Sequence, residues 1–301
     1  MALKPNKILL LGLKLTVSFV LLYIVLSRTG PQLVYSTLRG MNPFAFISAI
    51  ILYIFSQFIS TLRWRLLLPE KVGIKKLFSL YLIGSFFNTL LPGLIGGDAV
   101  KGFYLYKAIG KGSLTLASIF MDRYIGFVTL ILICMAAYPF GYSYLQGSHA
   151  VWTLPLIVLI FVITSLLIFG LRLGNRMMIL SEFYKYFHSY RNKKGIIVKT
   201  LLISVFVQLS GILAVYILAT GIGEHIPFLA CLVFLPLIIM FTALPISISG
   251  IGIREGAFIL FFGLIGVMPN VATAISLSWF LTGVACNFLG FVEYVRYRRE
   301  K

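Results

Sequence analysis

Six stretches of the chain, residues 8–26, 44–62, 114–138, 153–170, 196–220 and 271–292, stay apolar for eighteen residues or more with few interruptions. About 20 apolar residues in helix cross the ~30 Å hydrocarbon core of a bilayer, where only helices and closed barrels satisfy every backbone polar group. A chain with six such stretches is an all-α polytopic membrane protein. Composition agrees: 60% of the 301 residues are hydrophobic and 11% charged, against about 25% charged in soluble domains. Soluble, nucleic-acid-binding and disordered classes are excluded, and residues 1–301 read as one integral domain.

The 26 Lys and Arg against 8 Asp and Glu leave a net charge of +18. In a soluble chain that surplus would suggest nucleic acid. In a membrane protein it belongs to cytoplasmic loops that grip anionic lipid headgroups, so membrane lipids are the expected partners. Cys134, Cys231 and Cys286 lie inside apolar runs without a CxxC pair, and His149, His188 and His225 are scattered through polar connections. That pattern holds no metal-ligand spacing and implies no cofactor. The first apolar run lacks a small-residue cleavage site behind it and reads as a retained anchor.

Two further apolar stretches are broken by proline and glycine. Residues 77–97 contain Asn88, Pro92, Gly96 and Gly97 at their end, with Asp98 directly after, and 226–268 contain Pro245, Ser247, Ser249, Gly250 and Gly252. Proline removes a helix hydrogen bond and glycine admits irregular backbone, so neither reads as a plain span. Charge decides their topology. With the N-terminus cytoplasmic and the segment about 77–113 dipping in and out as a hairpin, 21 Lys and Arg face the cytoplasm. They comprise three at the N-terminal end, five in 63–76, Lys107 and Lys111, seven in 172–199 and four in the tail. Outside are Arg28 and Arg39. A full crossing at 77–97 would send the seven-charge loop outside, against the positive-inside rule. The same parity lets 226–268 enter as a second hairpin from the opposite face. The expected architecture is about six full spans plus two inverted re-entrant hairpins; eight spans with one re-entrant hairpin have the same parity. Both termini are then cytoplasmic, in the cell membrane. The basic, aromatic connection 171–195 reads as an interfacial helix.

The two breaks align without gaps. Leu91, Pro92, Gly97 and Lys101 match Leu244, Pro245, Gly250 and Arg254, a pattern L-P-x4-G-x3-[K/R] repeated 153 residues later. Three spans separate the copies, so they are inverted, as in transporters whose broken helices meet near the midplane. A helix restarting after a break exposes unpaired N–H groups that favour an anion. Asp98 would cap the restarted helix, and Ser247 or Ser249 would supply hydroxyl donors. Lys101 and Arg254, about one turn into their helices, would meet the same anion. The plainer reading is that the breaks only let the chain turn while the cations snorkel to headgroups. It accounts less well for Arg254 and Glu255, which sit in a long apolar stretch.

Asp122 and Arg123 lie within 114–138, where ionisable residues point to function. Adjacent helix positions face apart, so each needs another partner: Lys101 or Arg254 for Asp122, and Asp98, Glu255 or a substrate phosphate for Arg123. Arg63-Trp64-Arg65, at the end of the second run, reads first as an interfacial belt with snorkelling arginines, and otherwise as a gate that recruits lipid phosphate.

Taken together and in order, Arg63-x-Arg65, Asn88-x3-Pro92-x3-Gly96-Gly97-Asp98-x2-Lys101, Asp122-Arg123-x2-Gly126 and Pro245-x-Ser247-x2-Gly250-x-Gly252-x-Arg254-Glu255 resemble the lysylphosphatidylglycerol synthase transmembrane family, the flippase-like domain of multiple peptide resistance factors. The family more often has arginine at the Lys101 position. Those factors also carry a C-terminal soluble aminoacyltransferase domain, whereas this chain ends at Lys301 just after its last apolar run. The resemblance therefore implies the translocating half without the synthetic one. It points to a flippase for an anionic phospholipid or polyprenyl-phosphate-linked lipid, with Lys101, Arg123 and Arg254 on the phosphate and Asp98, Asp122 and Glu255 orienting them. The other readings are a lipid-modifying membrane enzyme and an accessory subunit of a partner lipid or glycosyl transferase.

Overall fold

The computed structural model describes residues 5–90, 95–170, 194–243 and 247–299. Pro92, Pro245 and nearly all of 171–195 lie outside the described residues. Every regular element within them is helical. In chain order these are α1 (Pro5–Thr29), α2 (Pro31–Arg39), α3 (Pro43–Leu67), α4 (Ile74–Leu90), α5 (Ile95–Ile109) and α6 (Gly112–Leu145). A 3-10 turn at His149–Trp152 leads into α7 (Thr153–Gly170), followed by α8 (Lys194–Gly221), α9 (Phe228–Thr242), α10 (Ile253–Gly263) and α11 (Pro269–Arg299).

Local chemistry explains several ends. Proline opens α2 and α3 at the first turn, where its missing N–H is no loss. Asn42 caps α3 by accepting a 2.9 Å bond from the Phe44 N–H, satisfying one of the donors a helix start leaves orphaned. Six helices, α1, α3, α6, the turn with α7, α8 and α11, are long and apolar enough to cross a membrane, and they coincide with the six apolar stretches of the sequence. The outer side of α7, with Leu156, Leu159, Ile160, Ile163 and Leu166 exposed, presents the stripe a lipid-facing helix requires.

Besides the nine-residue α2, four helices are too short to cross. At 1.5 Å per residue, α4 and α5 reach roughly 25 and 22 Å, and α9 and α10 roughly 22 and 16 Å, against ~30 Å of hydrocarbon. The reading of 226–268 as two full crossings therefore does not hold. Each short pair folds back on itself, α4 against α5 and α9 against α10. Glu70, before α4, pairs with Lys111, after α5, so the first hairpin leaves and rejoins the bundle at one end. Its α4 arm packs on α11, while α3 runs along α8. The largest buried apolar cluster among the described residues surrounds the second hairpin, where Phe234, Phe258, Phe261 and Phe262 are fully buried.

Candidate functional site

The tips of the two hairpins touch. The Ser249 hydroxyl donates to the carbonyl oxygens of Asn88 (3.3 Å) and Thr89 (3.4 Å). Both tips are held at mid-depth by long helices. The Ile248 N–H donates to Ser18 Oγ near the middle of α1 (2.8 Å), and Asn287 Nδ2, near the middle of α11, donates to Thr89 Oγ1 (2.6 Å). Glycine makes both turns fit. A Cβ on Gly97 would collide with the Gly84 carbonyl and Asn88, so the arms of the first hairpin cross at two glycines, as small residues allow in membranes. Gly252 has φ +84° and faces the Leu21 backbone, with no room for a side chain.

The cap of α5 differs from the expectation. Asn88 Oδ1, across the hairpin, accepts the Gly97 N–H at 2.8 Å, and Gly96 lies half-buried in the first turn. Among the described residues Asp98 accepts no capping bond; two cations claim its carboxylate. Arg123 Nε and Nη2 donate to it at 2.7 and 3.2 Å, and Lys101 Nζ lies 3.4 Å away. At α10 the capping acid is Glu255, whose Oε2 accepts the Gly252 N–H at 2.6 Å.

Lys101 is enclosed. The gapless alignment equates it with Arg254, yet α5 begins at Ile95 and α10 at Ile253. Lys101 therefore sits nearly two turns into its helix, and Arg254 in the first turn. Gly97 and Lys101, four residues apart, share the face of α5 that presses on Gly84 of α4, and that face turns the ammonium inward. Its Nζ lies 4.4 Å from the Trp64 and Tyr81 ring centroids, a cation–π cage, and 3.9 Å from Asp122 Oδ2. Lys101 is buried and absent from the cavity wall. Convergence of Lys101 and Arg254 on one anion is thus corrected by helix phase.

Arg63 is corrected as well. It is 5% exposed, not snorkelling: its Nε donates to Asp122 Oδ1 at 2.8 Å and its Nη1 to Ser204 Oγ at 2.7 Å. Tyr81 adds a 3.3 Å bond to Asp122 Oδ2. Gly126, one turn beyond Asp122, faces that guanidinium, and a Cβ there would make an ordinary contact 3.5 Å from Nη1. Arg65 stays on the exterior, as a belt residue would, and is not among the cavity residues. On the opposite hairpin Arg254 pairs with its neighbour Glu255, donates to Ser276 Oγ at 3.0 Å, and lies 4.6 Å from the Phe280 ring.

Between the hairpin tips and α3, α6, α8 and α11 is a cavity of about 440 Å³, within the range of ligand sites. Of the expected site residues it gathers Arg63, Asn88, Asp122, Arg123, Ser247, Ser249, Gly250 and Arg254 on its wall. Lys101, Asp98, Glu255 and Gly252 stand behind that wall as supports. The Ser247 hydroxyl is 2% exposed and is the one buried side-chain polar atom without a partner among the described residues. The sequence reading missed Ser204, Tyr81, Ser276 and Phe280, whose types are ordinary in a span. Gln57, Gln208 and Asn287, also on the wall, were visible as amides in otherwise apolar runs.

Six long helices and two half-depth hairpins that meet at a charged internal cavity define a multi-pass membrane protein of the broken-helix kind. The chain belongs to the family described as lysylphosphatidylglycerol synthase TM region, which matches residues 11–290. Among its relatives is the UPF0104 membrane protein MJ1595 of Methanocaldococcus jannaschii, 25% identical over 95% of this chain and 94% of the relative. A UPF0104 membrane protein of Methanothermobacter thermautotrophicus is 23% identical over 81% and 82%. PH1989 of Pyrococcus horikoshii, another UPF0104 membrane protein, is 23% identical over 76% and 79%. No solved structure matches the chain.

Proposed function

We propose that the protein moves the headgroup of an anionic lipid, a phospholipid or a polyprenyl-phosphate-linked lipid, between leaflets through this cavity. The observation that carries the reading is the wall itself: three guanidinium groups and one carboxylate lining a cavity inside a helical bundle. Ionisable groups at membrane depth are expensive and mark substrate pathways, and arginine suits phosphate. Acyl or prenyl chains would stay in lipid while the head passes between the hairpin tips. In this reading the protein is a transporter of the cell membrane with both termini cytoplasmic, and not itself an aminoacyltransferase; residues 1–301 act as one unit.

The test is headgroup accessibility in proteoliposomes carrying a trace of fluorescent phosphatidylglycerol. With the protein present, an impermeant quencher should bleach more than the outer-leaflet half, and Arg123→Ala should reduce that excess. Bleaching equal to that of protein-free vesicles would refute the proposal.

A further inference from the structure

The ionisable groups in and behind the cavity wall form two sets. On the α3–α5–α6 side, Arg63, Lys101 and Arg123 face Asp98 and Asp122, a sum of 3 − 2 = +1. On the second hairpin Arg254 and Glu255 cancel. The site as a whole therefore carries one surplus positive charge. Arg63, Lys101 and Asp122 are buried, and an unmatched charge among buried groups is penalised, so the ligand that completes this site brings one negative charge.

The arginines agree. A guanidinium grips a phosphate most tightly by presenting two N–H groups side by side. Asp98 takes Nε and Nη2 of Arg123, Glu255 takes Nε and Nη2 of Arg254, and Asp122 with Ser204 takes Nε and Nη1 of Arg63. These bonds leave Arg123 and Arg254 the outer Nη1–Nη2 edge as donors for a ligand. The Ser247 hydroxyl, buried and unpartnered at the same wall, adds one more. Such an edge spans the two non-bridging oxygens of a phosphodiester, which bears one charge. A phosphomonoester bears about −1.5 to −2 near neutral pH and would leave the site overcharged.

We propose that the cavity selects a phosphodiester headgroup over a phosphomonoester, and that Asp98 and Lys101 set this selectivity by fixing the charge of the site. The proposal rests on the anionic-lipid reading above and narrows it. Both are positioning residues: Asp98 acts through Arg123, and Lys101 acts through the Asp98–Asp122 pair.

The experiment measures dissociation constants by calorimetry on detergent-purified protein near neutral pH. The probes are short-chain phosphatidylglycerol, short-chain phosphatidic acid, and glycerophosphoglycerol, the diester headgroup without chains. Wild type should prefer phosphatidylglycerol. Asp98→Asn raises the sum to +2 and should shift the preference towards phosphatidic acid by about tenfold. Lys101→Met lowers it to 0 and should weaken both lipids by about tenfold. The double variant restores +1 and should regain the wild-type preference, an outcome that loss of structure does not produce. Should Lys101→Met fail to fold, the Asp98→Asn preference alone decides. Phosphatidic acid bound as tightly as phosphatidylglycerol by wild type, or an unmoved ratio in Asp98→Asn, overturns the charge rule and leaves the lipid reading standing. Glycerophosphoglycerol bound as tightly as the lipid upholds the rule and overturns the lipid reading. Binding of no probe overturns both.

Discussion

Arg63 and Asp122 are buried together at 5% and 0% exposure, and a side chain removed from such a pair strands its partner. Arg63→Ala is expected to destabilise the protein by roughly 3–5 kcal/mol, moderated by Lys101, which still faces Asp122. Arg63→Lys should recover little of that loss, because one ammonium does not reproduce a planar donor fork that reaches both Asp122 and Ser204. Thermal unfolding in detergent measures both. Ser247 has the opposite signature. Its hydroxyl is buried without a partner, a situation worth about 1–3 kcal/mol of penalty. Ser247→Ala should therefore leave the melting temperature unchanged or higher while slowing lipid translocation. A lower melting temperature together with wild-type transport would assign Ser247 to packing.

At the scale of elements, each hairpin depends on a contact that only glycine permits. Gly97 lets α5 cross α4 at Gly84, and a methyl group there must separate the arms. Overpacking of this kind is worth about 1–3 kcal/mol, and in Gly97→Ala it would also break the Asn88–Gly97 bond that caps α5. A measured drop in folded yield and melting temperature would register it. Gly252 combines two demands, the nearby Leu21 of α1 and a left-handed φ of +84°. Gly252→Ala should be destabilising, and Leu21→Gly in the same chain, which removes the Cβ that the new methyl would meet, should relieve only the steric part. The left-handed backbone leaves a residual of about 1–2 kcal/mol. Complete rescue by Leu21→Gly would show that space alone matters at this turn.

At the scale of the whole molecule, the Glu70–Lys111 pair and the touching hairpin tips determine which loops share a face. Gly73 and Gly110 flank the first hairpin at one end, whereas Gly147 follows α6 at the other. Gly223 belongs with Gly147, since the Asn42 N–H at the start of α3 bonds the Gly221 carbonyl at the end of α8 (2.8 Å). Single cysteines at these exposed positions should label from one side for 73 and 110, and from the other for 147 and 223. The native Cys134, Cys231 and Cys286 are free but buried, so their background with an impermeant reagent should be low. Labelling of 73 and 110 from opposite sides would replace the first hairpin with a full crossing. From the positive-inside bias, 73 and 110 are expected to label from the cytoplasmic side.

The sequence by itself determined the membrane class, the six long helices and the positions of the two breaks. Apolar length against a fixed bilayer thickness is a local property, and so is the weak helix preference of proline and glycine where they cluster. Charge counting also indicated that the first broken segment returns to the face it left, which the Glu70–Lys111 pair now supports. Which ions meet was decided only by the tertiary structure. Asp122 had two cations proposed for it, Lys101 and Arg254; it takes Arg63, with Lys101 nearby, while Arg254 turns to its own neighbour. Arg63 looked like a membrane-surface anchor because nothing in its flanking residues reveals that α6 and α8 close over it. Lys101 looked equivalent to Arg254 because a gapless alignment carries residue spacing but not the point where each helix restarts. A shift of a few residues in that start rotates a side chain from the cavity wall into a cage of Trp64, Tyr81 and two carboxylates. Rotation and depth are set by packing among several helices at once, and no single segment encodes them.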